Sequence, residues 1–171
     1  AGAILHKDGQ PIENQDPATW EKQFKLNVVG TMNVSQAVVP LMREQKYGVI
    51  VNIGSGSTQQ FQMGVGTYAM SKYALDLFTK QLAKVEGPKG IRVNCVAPGP
   101  APTNFGAVLR EGQPELSPEE AEKMRAAIMG EFPLGRMGTA QDIANATVFL
   151  ASDVTSYVTG QVLHVSGGSV L

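Results

Sequence analysis

Tyr68 and Lys72 stand four residues apart, and Ser55 precedes the tyrosine by thirteen. On a helix, positions i and i+4 share one face, so a phenol and an ammonium placed there are neighbours and the positive charge favours the phenolate. A free tyrosine titrates near 10, and bringing it towards 7 takes about 4 kcal/mol of preferential stabilisation of the anion. One well-placed cation in a partly desolvated site supplies about that much. The chemistry expected of the pair is proton exchange near neutral pH, with the phenol as acid or base.

Alternating helices and strands have to position these groups. Asp16-Pro17 has the form of a helix start, an N-cap followed by proline in the first turn, and Phe24, Val28, Met32 and Val39 carry apolar periodicity towards Gly48, with Pro40 a candidate kink. Val49-Ile-Val-Asn-Ile53 reads as a short buried strand that ends in the small polar segment Gly54-Ser-Gly-Ser57. A second helix is expected from about Thr67, with Leu75, Phe78, Leu82 and Val85 as its core stripe and Gly87-Pro-Lys-Gly90 as its stop. Ile91-Arg-Val-Asn-Cys-Val-Ala97 is the next strand, and Pro98-Gly99 ends it. A stretch rich in proline and glycine follows, read as a connection over a binding cleft. Ser117-Pro-Glu-Glu120 and Thr139-Ala-Gln-Asp142 start two more helices, and Gln161-Val-Leu-His-Val165 is the last strand. Parallel strands need crossover helices, so this order implies an α/β fold with a parallel sheet. The three visible strands are fewer than the five or six of an ordinary sheet.

Composition narrows the function classes. The 171 residues are 43% hydrophobic and 17% charged, as in a globular chain with one core, and no repeat or linker divides them, so one domain is expected over 1–171. A formal net charge of −1 gives no field that attracts nucleic acid or an anionic membrane, and neither is expected as a partner. The apolar runs are too short to span a bilayer, and the first residues lack the pattern of a signal peptide; a cytoplasmic location is expected. Cys95 is the single cysteine, with Val93 and Val96 as near neighbours in the strand, and reads as a buried inert thiol. His6 and His164 have no partner at metal-ligand spacing, so no metal site is expected.

Asn27, Ser55, Tyr68 and Lys72, followed by Asn94-Cys-Val-Ala-Pro98-Gly99 and Thr103, resemble the catalytic tetrad and cofactor-side loop of the short-chain dehydrogenases/reductases. The likeness extends to Pro133-Leu-Gly-Arg-Met137, Gln141-Asp-Ile-Ala144, Phe149-Leu-Ala-Ser-Asp153 and Tyr157-Val-Thr-Gly160, and so covers essentially the whole sequence. It implies a Rossmann-like, doubly wound parallel sheet. Ala1-Gly2 resembles the end of the family's Asn-Asn-Ala-Gly segment, so the chain corresponds to the carboxyl-terminal two-thirds of the family and lacks its N-terminal strands, with the Gly-rich turn for the pyrophosphate and the residue that reads the adenosine ribose.

The resemblance also implies roles. Tyr68 is the general acid in carbonyl reduction and the general base in alcohol oxidation; Ser55 donates a hydrogen bond to the same oxygen; Lys72 lowers the Tyr68 pKa and holds the nicotinamide ribose; Asn27 positions a water that links Lys72 to solvent. Tyr68, Lys72, Pro98, Gly99, Ala101 and Thr103 are the expected contacts of NAD or NADP. The substrate class is a small alcohol or ketone, and a homo-oligomer, dimer or tetramer, is expected through Met32, Val38 and Phe78 on the two long helices. In three places the chain departs from the family pattern: Gly54 replaces the usual first serine of the strand-end pair, Ala101 lies between Pro100 and Pro102, and Ser166 replaces the Asp often found before Gly-Gly. Two readings stand: the chain is part of a nicotinamide-dependent oxidoreductase, or it is a truncated, non-catalytic relative that serves as a binding or assembly module.

Overall fold

A computed structural model describes residues 12–59, 66–101 and 117–170. Helix α1 (Pro17–Phe24) starts as expected: the Asp16 carboxylate accepts from the Ala18 amide at 3.1 Å, and Pro17 fills the first turn. The helix does not run on regularly. Lys25–Val29 form a π turn, closed by the Gly30 amide on the Lys25 carbonyl, before α2 (Gly30–Gln45) resumes the α pitch. Pro40 lies within α2 without ending it.

Strand β1 (Gly48–Ile53) leads through the Ser55 turn towards α3 (Gly66–Glu86), which returns to β2 (Ile91–Pro98). Helix α4 (Pro118–Gly130) and helix α5 (Ala140–Ala151) precede β3 (Val162–Val165). Both helix starts carry the reciprocal capping bonds read from the sequence, Ser117 with Glu120 and Thr139 with Asp142. The sheet is parallel in the order β1-β2-β3, with Gly48 opposite Ile91 and Ile53 opposite Val96, then Cys95 opposite Val162 and Pro98 opposite Val165.

Strand β2 shows how the sheet is covered. Successive side chains alternate between faces. Ile91 and Val93 pack with Val39 and Met42 of α2 and Leu82 and Ala83 of α3, forming the main core cluster. Arg92 points the other way and donates to the carbonyls of Leu150, Ser152 and Val158, satisfying the exposed end of α5. Helices therefore cover both faces, and the α/β, doubly wound expectation holds.

The buried faces of the two long helices differ from the apolar stripes read from the sequence. In the first helix the enclosed line is Gln23, Asn27, Ser35 and Val39, whereas Phe24, Val28 and Met32 are only half-buried. In α3 it includes Ser71, Lys72, Leu75, Asp76, Thr79 and Glu86, while Val85 is exposed. Apolar periodicity misses these faces because their polar groups are paired inside. Asn52 donates to Thr79 Oγ1 at 2.9 Å, and Arg43 grips Glu86 through two bonds of 2.8 and 2.6 Å. Met32, Val38 and Phe78, expected on the outside, are half-buried; the exposed large apolar side chains of α2 and α3 are Val34, Leu41, Met70, Tyr73, Leu77 and Val85.

Candidate active site

The C-terminal ends of parallel strands gather the candidate residues, as open α/β sheets do. Ser55 follows the last residue of β1 by two positions and caps the short turn Gly56–Thr58. Its Oγ accepts from the Ser57 amide at 3.2 Å and from the Ser57 hydroxyl at 2.9 Å, which leaves its own proton for donation outward. The Gly54 amide donates to the Val96 carbonyl at 2.7 Å and so fastens the turn to β2. The family's serine has no room at 54: a Cβ there would lie 2.7 Å from Cys95 Sγ and 3.1 Å from Asp76 Oδ1.

Tyr68 and Lys72 lie on the first turns of α3, both enclosed, with Lys72 Nζ 5.8 Å from the centre of the phenol ring. Burial pushes the Tyr68 phenol above its ordinary value, and a hydrogen bond from Ser55 draws it partly back. This differs from the expected lowering by Lys72. The reason lies in the lysine, which donates to the Ile53 carbonyl at 2.7 Å, on the strand side, and whose own pKa falls through burial. Cys95 and Asp76 work in the opposite direction on Lys72. A tyrosine held protonated is equipped to give a proton.

Asn27 sits at the centre of the π turn, where the added residue of the wider turn changes the helix phase. Its side-chain Nδ2 donates to Ser71 Oγ at 2.9 Å, and Ser71 Oγ donates to the Tyr68 carbonyl at 2.7 Å. Its backbone carbonyl accepts from the Thr31 hydroxyl at 2.9 Å. Thus Asn27, Tyr68 and Lys72 are brought to one place together with Ser71, which the sequence reading left out. The hydroxyls of Thr67, Ser71 and Thr79, which fall on one face of α3 with Leu75, were the signal that could have pointed to it.

The loop after β2 adjoins the Ser55 turn. A Cβ at Gly56 would lie 3.2 Å from the Pro98 carbonyl and 3.6 Å from Gly99 Cα. Gly99 donates its amide to the Val165 carbonyl at 3.0 Å, and a side chain there would meet Ser166 Cα at 2.8 Å, so the glycine serves the approach to β3. Ser166 takes over a local role: its Oγ accepts from the Val170 amide and donates to the Val170 carbonyl, both at 3.3 Å. Ala101 closes the described part of this loop; Thr103 and His6 lie outside the described residues. The Lys72 ammonium keeps donors beyond its bond to Ile53, and the Tyr68 phenol meets the Ser55 hydroxyl, a donor set that suits a ribose and a reacting oxygen side by side.

Two further buried groups stand behind this cluster. Asp76, one turn beyond Lys72, accepts from the Cys95 thiol at 3.5 Å, and burial raises its pKa. Cys95 is the inert buried thiol expected, pushed up to about 12 by burial and by Asp76. A cavity of about 550 Å³ between α3 and β3 is lined by Tyr73, Asp76, Lys80 and His164 and reaches Gln59 at the end of the Ser55 turn, with neither Ser55 nor Tyr68 in its lining. Among the described residues no cluster of His, Cys, Asp or Glu could hold a metal ion, and no helix is long and apolar enough to cross a membrane.

Comparison with known proteins decides the family. The family model described as enoyl-(acyl carrier protein) reductase, of the short-chain dehydrogenase type, matches residues 1–169. The chain belongs to the short-chain dehydrogenase/reductase family. Within it, the chain is 42% identical over 156 residues to a 3alpha-hydroxysteroid dehydrogenase of Mediterraneibacter gnavus, covering 91% of this chain and 58% of that protein. It is 38% identical over 149 residues to the 3-oxoacyl-(acyl-carrier-protein) reductase FabG of Aquifex aeolicus, covering 87% of this chain and 56% of that one. Among solved structures, a gluconate 5-dehydrogenase of Burkholderia cenocepacia in complex with NADP and tartrate superposes with a TM-score of 0.85 at 28% identity, over 99% of this chain and 62% of that chain. The chain thus spans less than two thirds of the relatives it matches.

Proposed function

We propose that this chain forms the proton-transfer half of an NAD- or NADP-dependent oxidoreductase that interconverts a secondary alcohol and a ketone. The single observation that supports it best is the meeting of Tyr68, Ser55 and the buried Lys72 at the C-terminal end of β1. Bound nicotinamide supplies the hydride chemistry. Tyr68 gives its proton to the carbonyl oxygen in reduction and takes it from the hydroxyl in oxidation. Ser55, its lone pairs engaged by Ser57, gives its proton to the Tyr68 phenol in the free protein and turns it to the reacting oxygen when substrate is bound, stabilising the charge that develops there. Lys72, held by Ile53, keeps a positive charge beside the phenolate once the proton has left and offers its remaining donors to the ribose hydroxyls. Asn27 belongs to the same proton route, and Pro98, Gly99, Ala101 and Thr103 form the nicotinamide side of the site.

The substrate is a small molecule; the names of relatives point to 3-oxoacyl, hydroxysteroid and gluconate chemistry as first probes. The protein works in the cytoplasm as a homo-oligomer, dimer or tetramer, which would cover Met70, Tyr73 and Leu77 of α3. The deciding experiment uses protein expressed from its complete gene. NADH and NADPH oxidation is followed with acetoacetyl-CoA, a 3-oxosteroid and 5-ketogluconate, for the wild type and for Tyr68→Phe. Turnover of at least one ketone, lost by about 10²–10⁴-fold in the variant, is the expected result; a Tyr68→Phe protein as active as the wild type would rule the mechanism out.

A further inference from the structure

We infer that Ser71 is a positioning residue that ties Asn27 to the backbone of Tyr68 and so sets where the phenol stands. The inference rests on the proton-transfer role proposed for Tyr68, and it adds a residue to that role. Ser71 is fully enclosed, and its hydroxyl has one proton to give. A carbonyl can only accept, so that proton goes to the Tyr68 carbonyl at 2.7 Å. The lone pairs of Ser71 Oγ then face Asn27, which must present its amide NH₂, as it does at 2.9 Å. The direction of both bonds is therefore fixed by chemistry.

The bridge joins two separate elements. Asn27 lies in the π turn between α1 and α2, and Tyr68 lies 41 positions later in the first turns of α3, as the two residue numbers show. Within α3, Ser71 is next to Lys72 in sequence and three residues from Tyr68, so it spans the turn that carries both groups. Losing the hydroxyl would leave the Asn27 amide buried without this acceptor and release the Tyr68 carbonyl from its second donor. A misplacement of about 1 Å at a reacting group can cost about 10²-fold in rate. The bridge thus holds the π turn and the start of α3 in one register, and Asn27 acts on the tyrosine through Ser71 as well as on the proton route.

The test is a double-mutant cycle on protein from the complete gene, with Asn27→Ala, Ser71→Ala and their combination. Ser71→Cys, which keeps the shape but offers a weak donor, stands in for Ser71→Ala if the latter does not fold. Two readouts are taken: amide hydrogen exchange in Lys25–Val29 and in the first turns of α3, and kcat against KM for the ketone turned over by the wild type. Each single variant is expected to speed exchange in both segments about tenfold and to lower kcat about tenfold with KM within about twofold, and the double is expected to go no more than about threefold beyond the worse single. Exchange unchanged in the segment opposite the mutation, or single effects that multiply to about a hundredfold in the double, overturns the inference. Tyr68→Phe is measured alongside: full activity there sinks the proton-transfer reading, whereas an inactive Tyr68→Phe beside a wild-type-like Ser71→Ala or Ser71→Cys sinks only the role of Ser71.

Discussion

Replacing Gly54 with alanine tests how the Ser55 turn is seated. The new methyl would lie 2.7 Å from Cys95 Sγ and 3.1 Å from Asp76 Oδ1. Non-bonded heavy atoms rest about 3.5–4.0 Å apart, so the overlap with sulfur is about 1 Å. Neither neighbour can swing away freely, since Cys95 is fully enclosed and its thiol is engaged with Asp76, itself buried. Overpacking costs about 1–3 kcal/mol, and for Gly54→Ala we expect about 2 kcal/mol. Cys95→Ala by itself removes a buried sulfur and the donor to Asp76, and is expected to cost about 1–2 kcal/mol. In the double variant the methyl enters the space the sulfur leaves, so the combined cost should fall short of the sum by about 1–2 kcal/mol. Urea unfolding of the three variants, followed by circular dichroism and fitted with a common slope, measures this directly. Costs that simply add, within about 0.5 kcal/mol, would show that Cys95 does not fill the place of a side chain at 54 and would refute the steric account.

Other expectations follow from the titratable groups. Because the Tyr68 phenol is held protonated by burial, carbonyl reduction should slow, and alcohol oxidation should quicken, as pH rises through its pKa; a flat kcat profile for oxidation across that range would contradict the assignment. Glu86 is held down to about 2, chiefly by Arg43, against an ordinary 4.5. Its contribution to stability is fully present above 4.5 and is lost as pH falls towards 2. Arg43→Met should therefore destabilise the protein at pH 7, with the difference from wild type shrinking over that acid range in unfolding experiments. With its thiol at about 12 and enclosed, Cys95 should resist a disulfide reagent at pH 8 in the native protein and react only on unfolding; rapid native labelling would contradict its place in the core.

The strands, the helix starts and the turn after β1 were legible because each rests on a local rule. Asp16, Ser117 and Thr139 cap the helices they precede, and the β-branched runs at 49–53 and 91–97 fall in β1 and β2. The spacing of Ser55, Tyr68 and Lys72 likewise brings them to one end of the sheet. What stayed hidden depends on groups that meet only in three dimensions. Apolar counting selected Phe24, Val28 and Val85 for the helix cores, yet the enclosed faces carry Gln23, Asn27, Ser71, Asp76 and Thr79. Such faces look solvent-exposed in a sequence, because each polar group is matched by a partner on another element. The tyrosine pKa went the other way for a similar reason: the i+4 spacing put Lys72 near the phenol, but the Ile53 carbonyl draws the ammonium to the strand and leaves burial in control.

The π turn at Lys25–Val29 makes residue count itself a geometric parameter. It holds one residue more than an α turn would use, and Asn27 stands within it. Deleting one residue beside Asn27, Val28 for example, would let the turn close as an ordinary α turn while α1 and α2 keep their relative rotation. The turn would narrow around Asn27, and its Nδ2 would no longer stand where it meets Ser71 Oγ. Removing a residue that carries no candidate catalytic group would thus act on the site through the local width of the helix, whereas most point substitutions on the exposed side of the same turn would leave that width intact.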